Sequence, residues 1–117
     1  MLKAHDELVN ELAKPGHLIS GTMTPRQAHL MHMAIGIAGE AGELLDVIKK
    51  HVIYNKDLDL EHLMEEMGDL MFYLNGLRME IGATYEEILT ANINKLRTRY
   101  PDKQYTDKHA QLRADKT

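Results

Sequence analysis

Apolar residues recur along this chain at three- and four-residue intervals and almost nowhere in strict alternation, the pattern of amphipathic helices rather than strands. Residues 2–13 carry Leu2, Leu8, Val9 and Leu12 on one stripe, which predicts a short first helix. Lys14-Pro15-Gly16 ends it, and the segment to Met23 reads as loop. Thr24-Pro25-Arg26-Gln27 is a capping box with proline at the first helical position. A long second helix is expected from there to about residue 53, followed by a polar connection, Tyr54 to Asp57. Asp59 is the next N-cap, and a third helix runs to Ile81, where Gly82 stops it. Thr84-Tyr85-Glu86-Glu87 opens a fourth helix that ends before Pro101. Residues 101–117 read as a polar tail. The expectation is one all-α domain over 1–117, bundle-like, with two long antiparallel helices and shorter companions. Residues 1–23 form its N-terminal part and 24–100 its working helices.

Composition agrees and narrows the chemistry. Aromatics make up 5% of the 117 residues, with no Trp, while Met and Gly each number 8. The helix formers dominate. There is no Cys, which excludes a disulfide framework, a thiolate metal site and a thiol nucleophile. A net charge of −4 argues against a nucleic-acid-binding surface. No apolar run approaches a membrane span, and the first residues lack the apolar stretch of a signal peptide. The expected location is therefore cytoplasmic.

Certain carboxylates occupy positions where apolar residues belong. At 100° per residue, Met33, Ile37, Leu44 and Val47 fall within roughly 60° of Glu40, with Glu43 at that stripe's edge. Leu63, Leu70, Tyr73 and Leu77 flank Glu66 in the same way, with Asp69 at the edge. Glu43 lies ~15 Å from the end of its helix and Glu66 ~10 Å from the start of the next, so an antiparallel hairpin sets the two pairs near one level. Two unit charges ~5 Å apart repel by roughly 3 kcal/mol at an effective dielectric near 20, so such a cluster must be protonated or neutralised. Oxygen-only ligands favour Mg²⁺, or Mn²⁺, over zinc. A di-iron bundle would need Glu-x-x-His pairs, and no His here has Glu three positions before it.

Other residues fit around this cluster. Gly36, Gly39, Gly42 and Gly68 surround the carboxylates and suit either a ligand's approach or close helix packing. On the fourth helix, Asn92, Lys95 and Arg99 share a stripe that suits phosphate oxygens. Lys49, Lys50 and Lys56 gather at the end of the second helix and either do likewise or complement the helix dipole. His29 lies on the Glu40 stripe as a candidate contact to a base. Met31, Met33, Met64, Met67 and Met71 read as core. Acids, cations and an apolar surround together suggest metal-assisted attack on a polyphosphate.

Gly39-Glu40-Ala41-Gly42-Glu43-Leu44-Leu45, Glu65-Glu66-Met67-Gly68-Asp69-Leu70, and Asn92-Ile93-Asn94-Lys95-Leu96 with Arg99-Tyr100-Pro101 resemble the MazG-like, all-α nucleoside triphosphate pyrophosphohydrolases over roughly residues 24–101. The resemblance implies Mg²⁺-dependent cleavage of a (d)NTP between its α and β phosphates, giving the monophosphate and pyrophosphate in nucleotide house-cleaning or pool control. It implies two or more ions held by Glu40, Glu43, Glu66 and Asp69, phosphate contacts from Asn92 and Lys95, and less fixed roles for Arg99 and Tyr73. It further implies a homo-dimer or homo-tetramer with sites that use more than one chain. Glu40, Glu43 and the adjacent Glu65 all remain open as the proton acceptor, and the first helix with loop 14–23 is expected to carry base choice. The rival class is a non-catalytic helical module that binds an ion or a basic partner.

Overall fold

The computed structural model describes residues 1–102; the expected tail from 103 onward lies outside the described residues. Five helices follow in order: α1 (Leu2–Leu12), α2 (Gly16–Ser20), α3 (Pro25–Val52), α4 (Leu60–Ile81) and α5 (Tyr85–Arg99). The fold is all-α, as the periodicity requires, and no strand occurs among the described residues. The one added element is α2, a helical turn and a half inside the segment expected to be loop. Pro15 at its N-cap sets the backbone for it, and Gly21 follows its last residue.

The predicted start and stop signals operate as their chemistry demands. Gln27 N–H donates to Thr24 Oγ1 at 3.1 Å while Thr24 N–H donates to Gln27 Oε1 at 2.9 Å. Thr84 and Glu87 repeat this reciprocal pair at the start of α5. Asp59 accepts from His62 N–H at 3.0 Å, and Gly82 ends α4 at φ 71°, a left-handed conformation that glycine adopts without strain. Asn55, in the α3–α4 connection, is left-handed as well, at φ 53°.

Among the described residues, α3 and α4 are the helices that pack along one another. They run antiparallel, since Arg26 near the start of α3 reaches Glu80 near the end of α4 at 3.5 Å. Two glycines set how closely they approach. A side chain at Gly36 would overlap the Tyr73 ring, and one at Gly76 would meet Met33 Sδ. Each helix thus offers a bare stretch of backbone to a bulky side chain of the other. Gly39, Gly42 and Gly68 have open space where a Cβ would stand, so close packing within the chain accounts for Gly36 alone of the four expected positions.

The inward stripes are those read from the pattern. Met33 and Val47 are buried, at 5% and 4% exposure, and Ile37, Leu44, Leu63, Leu70, Tyr73 and Leu77 are half-buried. Four of the methionines expected in the core are exposed instead: Met31, Met64, Met67 and Met71. The reason is a second periodicity. Met31, Ile35, Ala38, Gly42, Leu45 and Val52 advance along α3 by alternating fours and threes, with Lys49 filling the remaining step. Leu60, Met64, Met67, Met71, Leu74 and Ile81 do the same along α4, with Arg78 filling the gap. Both are heptad seams of the kind that close against other helices, and both face outward here.

Candidate metal centre

Glu40 projects from the middle of α3, and Glu66 and Asp69 from α4, one carboxylate oxygen of each lying within 4.8 Å of the others. The Tyr73–Gly36 contact one turn from Glu40 holds the helices at the spacing this requires. Glu66 is the most enclosed, its side chain 12% exposed. Its Oε1 lies 3.1 Å from His62 Nε2, one turn earlier on α4. Its Oε2 is buried and has no hydrogen-bond partner. A buried carboxylate oxygen without a donor is costly, and a proton or a cation removes the cost.

The same environment acts on Glu40. Its pKa is held above the ordinary carboxylate value, first by a hydrogen bond with Glu66, then by burial and by the negative charge of Asp69, Glu66 and Glu43. A proton on Glu40 supplies the donor that Glu66 lacks when every acid is ionised. Glu43 adds its charge from the next turn of α3 but lies outside the group of three. The donor set, all oxygen and all acidic, fits a hard divalent cation.

A raised folded-state pKa means that the fold binds the Glu40 proton more tightly than the unfolded chain does. The metal-free protein should therefore gain stability as pH falls from neutral through that raised pKa toward the unfolded carboxylate value. A bound cation competes with the same proton, so its stabilising increment should shrink over the same interval. Melting midpoints from pH 7.5 to pH 5, in EDTA and in excess Mg²⁺, measure both slopes. A midpoint in EDTA that falls monotonically with acid would contradict the cluster's electrostatics.

His62 was not anticipated, although its i,i+4 spacing to Glu66 was visible in the sequence. Its ring fixes one oxygen of Glu66 and leaves the other buried without a partner. His62→Ala should weaken divalent-cation affinity by about 10- to 100-fold, the usual effect of losing a group that orients a ligand. Calorimetric titration with Mn²⁺ checks this, and unchanged affinity would make the contact incidental.

The remaining candidates are placed less closely. Lys50 lies ~15 Å along α3 from Glu40, and its ammonium is 3.1 Å from Asp46. Asn92 and Lys95 are exposed on α5, which does not pack along α3 or α4 within the chain. Arg99 is half-buried at the end of α5. Tyr73 stands against Gly36 and meets His32 edge-on, ring centres 6.2 Å apart. His29 is exposed and lines a cavity of about 440 Å³ together with Met33, Phe72, Asn75, Gly76, Met79 and Glu80. A second cavity, about 560 Å³ and mostly apolar, lies beneath segment 14–23 against Leu30, Ala34 and Leu77. Leu30 and Ala34 fall on the opposite side of the Glu40 stripe from Glu43. That segment therefore opens away from the acidic face.

A family model described as the MazG nucleotide pyrophosphohydrolase domain matches residues 27–103, a span that contains α3, α4 and α5 nearly whole. The chain belongs to the MazG family. The Gene 37 protein of Mycobacterium phage L5 is similar to this MazG chain, 31% identical over 75 residues. That alignment covers 60% of this chain and 65% of the phage protein, so the chain spans less than two thirds of this relative's length. No solved structure matches. Among the described residues of this MazG chain, no helix is long and apolar enough to cross a membrane.

Proposed function

We propose that the chain hydrolyses a nucleoside triphosphate between its α and β phosphates with the help of Mg²⁺, releasing pyrophosphate. The observation that carries this reading is the buried, donorless Glu66 Oε2 among three carboxylates, in a chain of the MazG family. Glu40, Glu66 and Asp69 would hold the cation, with Mn²⁺ as a substitute. When bound, the ion supplies positive charge to the phosphate oxygens and Lewis acidity to the reaction. Glu43, outside the tight group, takes the proton of the attacking water at its carboxylate. Glu65 projects toward Asp59, Glu61 and His62 instead, with which it lines a small polar hollow.

Phosphate contacts from Asn92 and Lys95 then come from another copy of the chain, because α5 does not lie along its own hairpin. The two outward heptad seams support the same arrangement, a homo-oligomer in which they close between copies. Arg99 and Lys50 remain outer phosphate contacts in this scheme. A net-negative protein with no spanning helix among its described residues acts on free nucleotides in the cytoplasm.

The decisive experiment is incubation with each dNTP and NTP plus Mg²⁺, with the products separated. Monophosphate and pyrophosphate support the proposal. Diphosphate and orthophosphate would make the protein a γ-phosphatase, and no product from any nucleotide would leave the non-catalytic ion-binding module.

A further inference from the structure

The cavity of about 440 Å³ beside the acidic group has the position and chemistry of a second recognition element. Phe72, Gly76 and Met79 lie within roughly 80° of Asp69 around α4, so the cavity opens on the side of the helix that Asp69 occupies. Its centre, at the level of Gly76 and Met33, is ~10 Å along the hairpin from Asp69 and Glu40. A nucleoside spans a comparable length from its α-phosphate to the far edge of its base.

Two walls of this cavity are specific. Phe72 is 68% exposed, an unusual state for the chain's one phenylalanine, and its neighbour Tyr73 meets it edge-on at 5.2 Å, leaving a ring face open. Asn75 is fixed in orientation. Its Oδ1 accepts from Arg78 Nε at 2.9 Å and from Tyr85 O–H at 2.7 Å. Arg78 is itself anchored, donating to the Ala83 carbonyl at 2.9 Å while its guanidinium lies 4.4 Å from the Tyr85 ring centre. A guanidinium only donates, so the atom facing it must be the amide oxygen, and the amide cannot flip. Asn75 Nδ2 is thereby turned to the Met79 wall, where the weak acceptor Met79 Sδ stands 3.8 Å away. The cavity presents a rigid donor that has no strong acceptor of its own.

We propose that this cavity is the nucleobase pocket of the same site, with Phe72 stacking on the base and Asn75 Nδ2 donating to a base carbonyl. It rests on the pyrophosphohydrolase reading and adds which bases that site takes. Uracil, thymine, guanine and cytosine each carry a ring carbonyl whose oxygen protrudes from the base edge; adenine carries none, and its acceptors are ring nitrogens recessed in that edge, which a rigid donor placed for a carbonyl oxygen meets only at longer range. Base choice is thus carried by α4, and segment 14–23 plays no part in it.

The test is steady-state pyrophosphate release from dUTP, dTTP, dCTP, dGTP and dATP by the wild type, Asn75→Asp and Phe72→Ala. The wild type should show kcat/KM for dATP about tenfold or more below its best keto nucleotide. Asn75→Asp keeps an oxygen toward Arg78 and Tyr85 but replaces the donor by an acceptor, so the dATP disadvantage should shrink or reverse. Phe72→Ala removes an exposed ring that the fold does not need. It should raise KM about 5- to 100-fold for every base with little change in kcat. Hydrolysis of dATP on a par with the others, or the same ranking in Asn75→Asp, overturns the pocket while leaving the pyrophosphohydrolase intact. If Asn75→Asp fails to fold by circular dichroism, an unchanged KM in Phe72→Ala is sufficient to overturn it. Absence of pyrophosphate from every nucleotide with the wild type overturns both.

Discussion

Glu66→Gln is expected to lose Mg²⁺-dependent pyrophosphate release by about 10³-fold or more while making the metal-free protein melt higher. The two effects have one origin. Glu66 is the carboxylate with an oxygen sealed from water and given no donor. Replacing that oxygen by an amide nitrogen supplies a donor toward the ionised Glu40 and removes one charge from the group that raises the Glu40 pKa. Losing a ligand oxygen costs several kcal/mol of transition-state stabilisation in a metal-assisted hydrolysis, and each 1.36 kcal/mol is about tenfold in rate. Paired rate and melting measurements in EDTA decide the matter. A variant that is inactive because it is misfolded would melt lower; an active one would remove Glu66 from the site.

Gly36→Ala should be the most damaging small substitution in the hairpin. The added methyl would occupy the space of the Tyr73 ring, which also meets His32 and Phe72 edge-on. Overpacking of this kind costs about 1–3 kcal/mol even after relaxation. The relaxation open to the chain is to part the two helices, one turn from Glu40. Divalent-cation affinity should therefore fall along with the melting temperature, and calorimetry with Mn²⁺ reads the first directly. Gly36→Ala combined with Tyr73→Leu, which shortens the obstructing side chain, should recover part of both. Failure of the double variant to recover either would show that the contact does not set the helix spacing.

Much of this was legible because helices announce themselves locally. Thr24, Asp59, Gly82 and Thr84 act within one turn of where they stand, so their roles followed from neighbours in the chain. The Glu40 and Glu66 stripes were equally readable, since an acid among apolar residues at helical spacing can be seen without knowing what faces it. Pairings across the hairpin were not readable. Gly36 opposite Tyr73 and Gly76 opposite Met33 depend on the register between two helices, and the three-residue repeat of Gly36, Gly39 and Gly42 drew equal attention to positions that meet nothing. Met31, Met64, Met67 and Met71 lie off the covered stripes for a related reason. Helices α3 and α4 each carry two apolar stripes, and periodicity alone cannot say which one the chain covers for itself. The orientation of the Asn75 amide rests on donors three and ten residues away, which no local pattern reveals.

The scarcity of buried side chains has a thermodynamic corollary. With Met33 and Val47 the only buried residues among those described, a solitary chain has little apolar transfer energy to set against the ordering of its helices. If other copies close the outward seams, as proposed, folding and association become a single equilibrium governed by mass action. The midpoint of unfolding then depends on how much protein is present, and dilution alone acts as a denaturant.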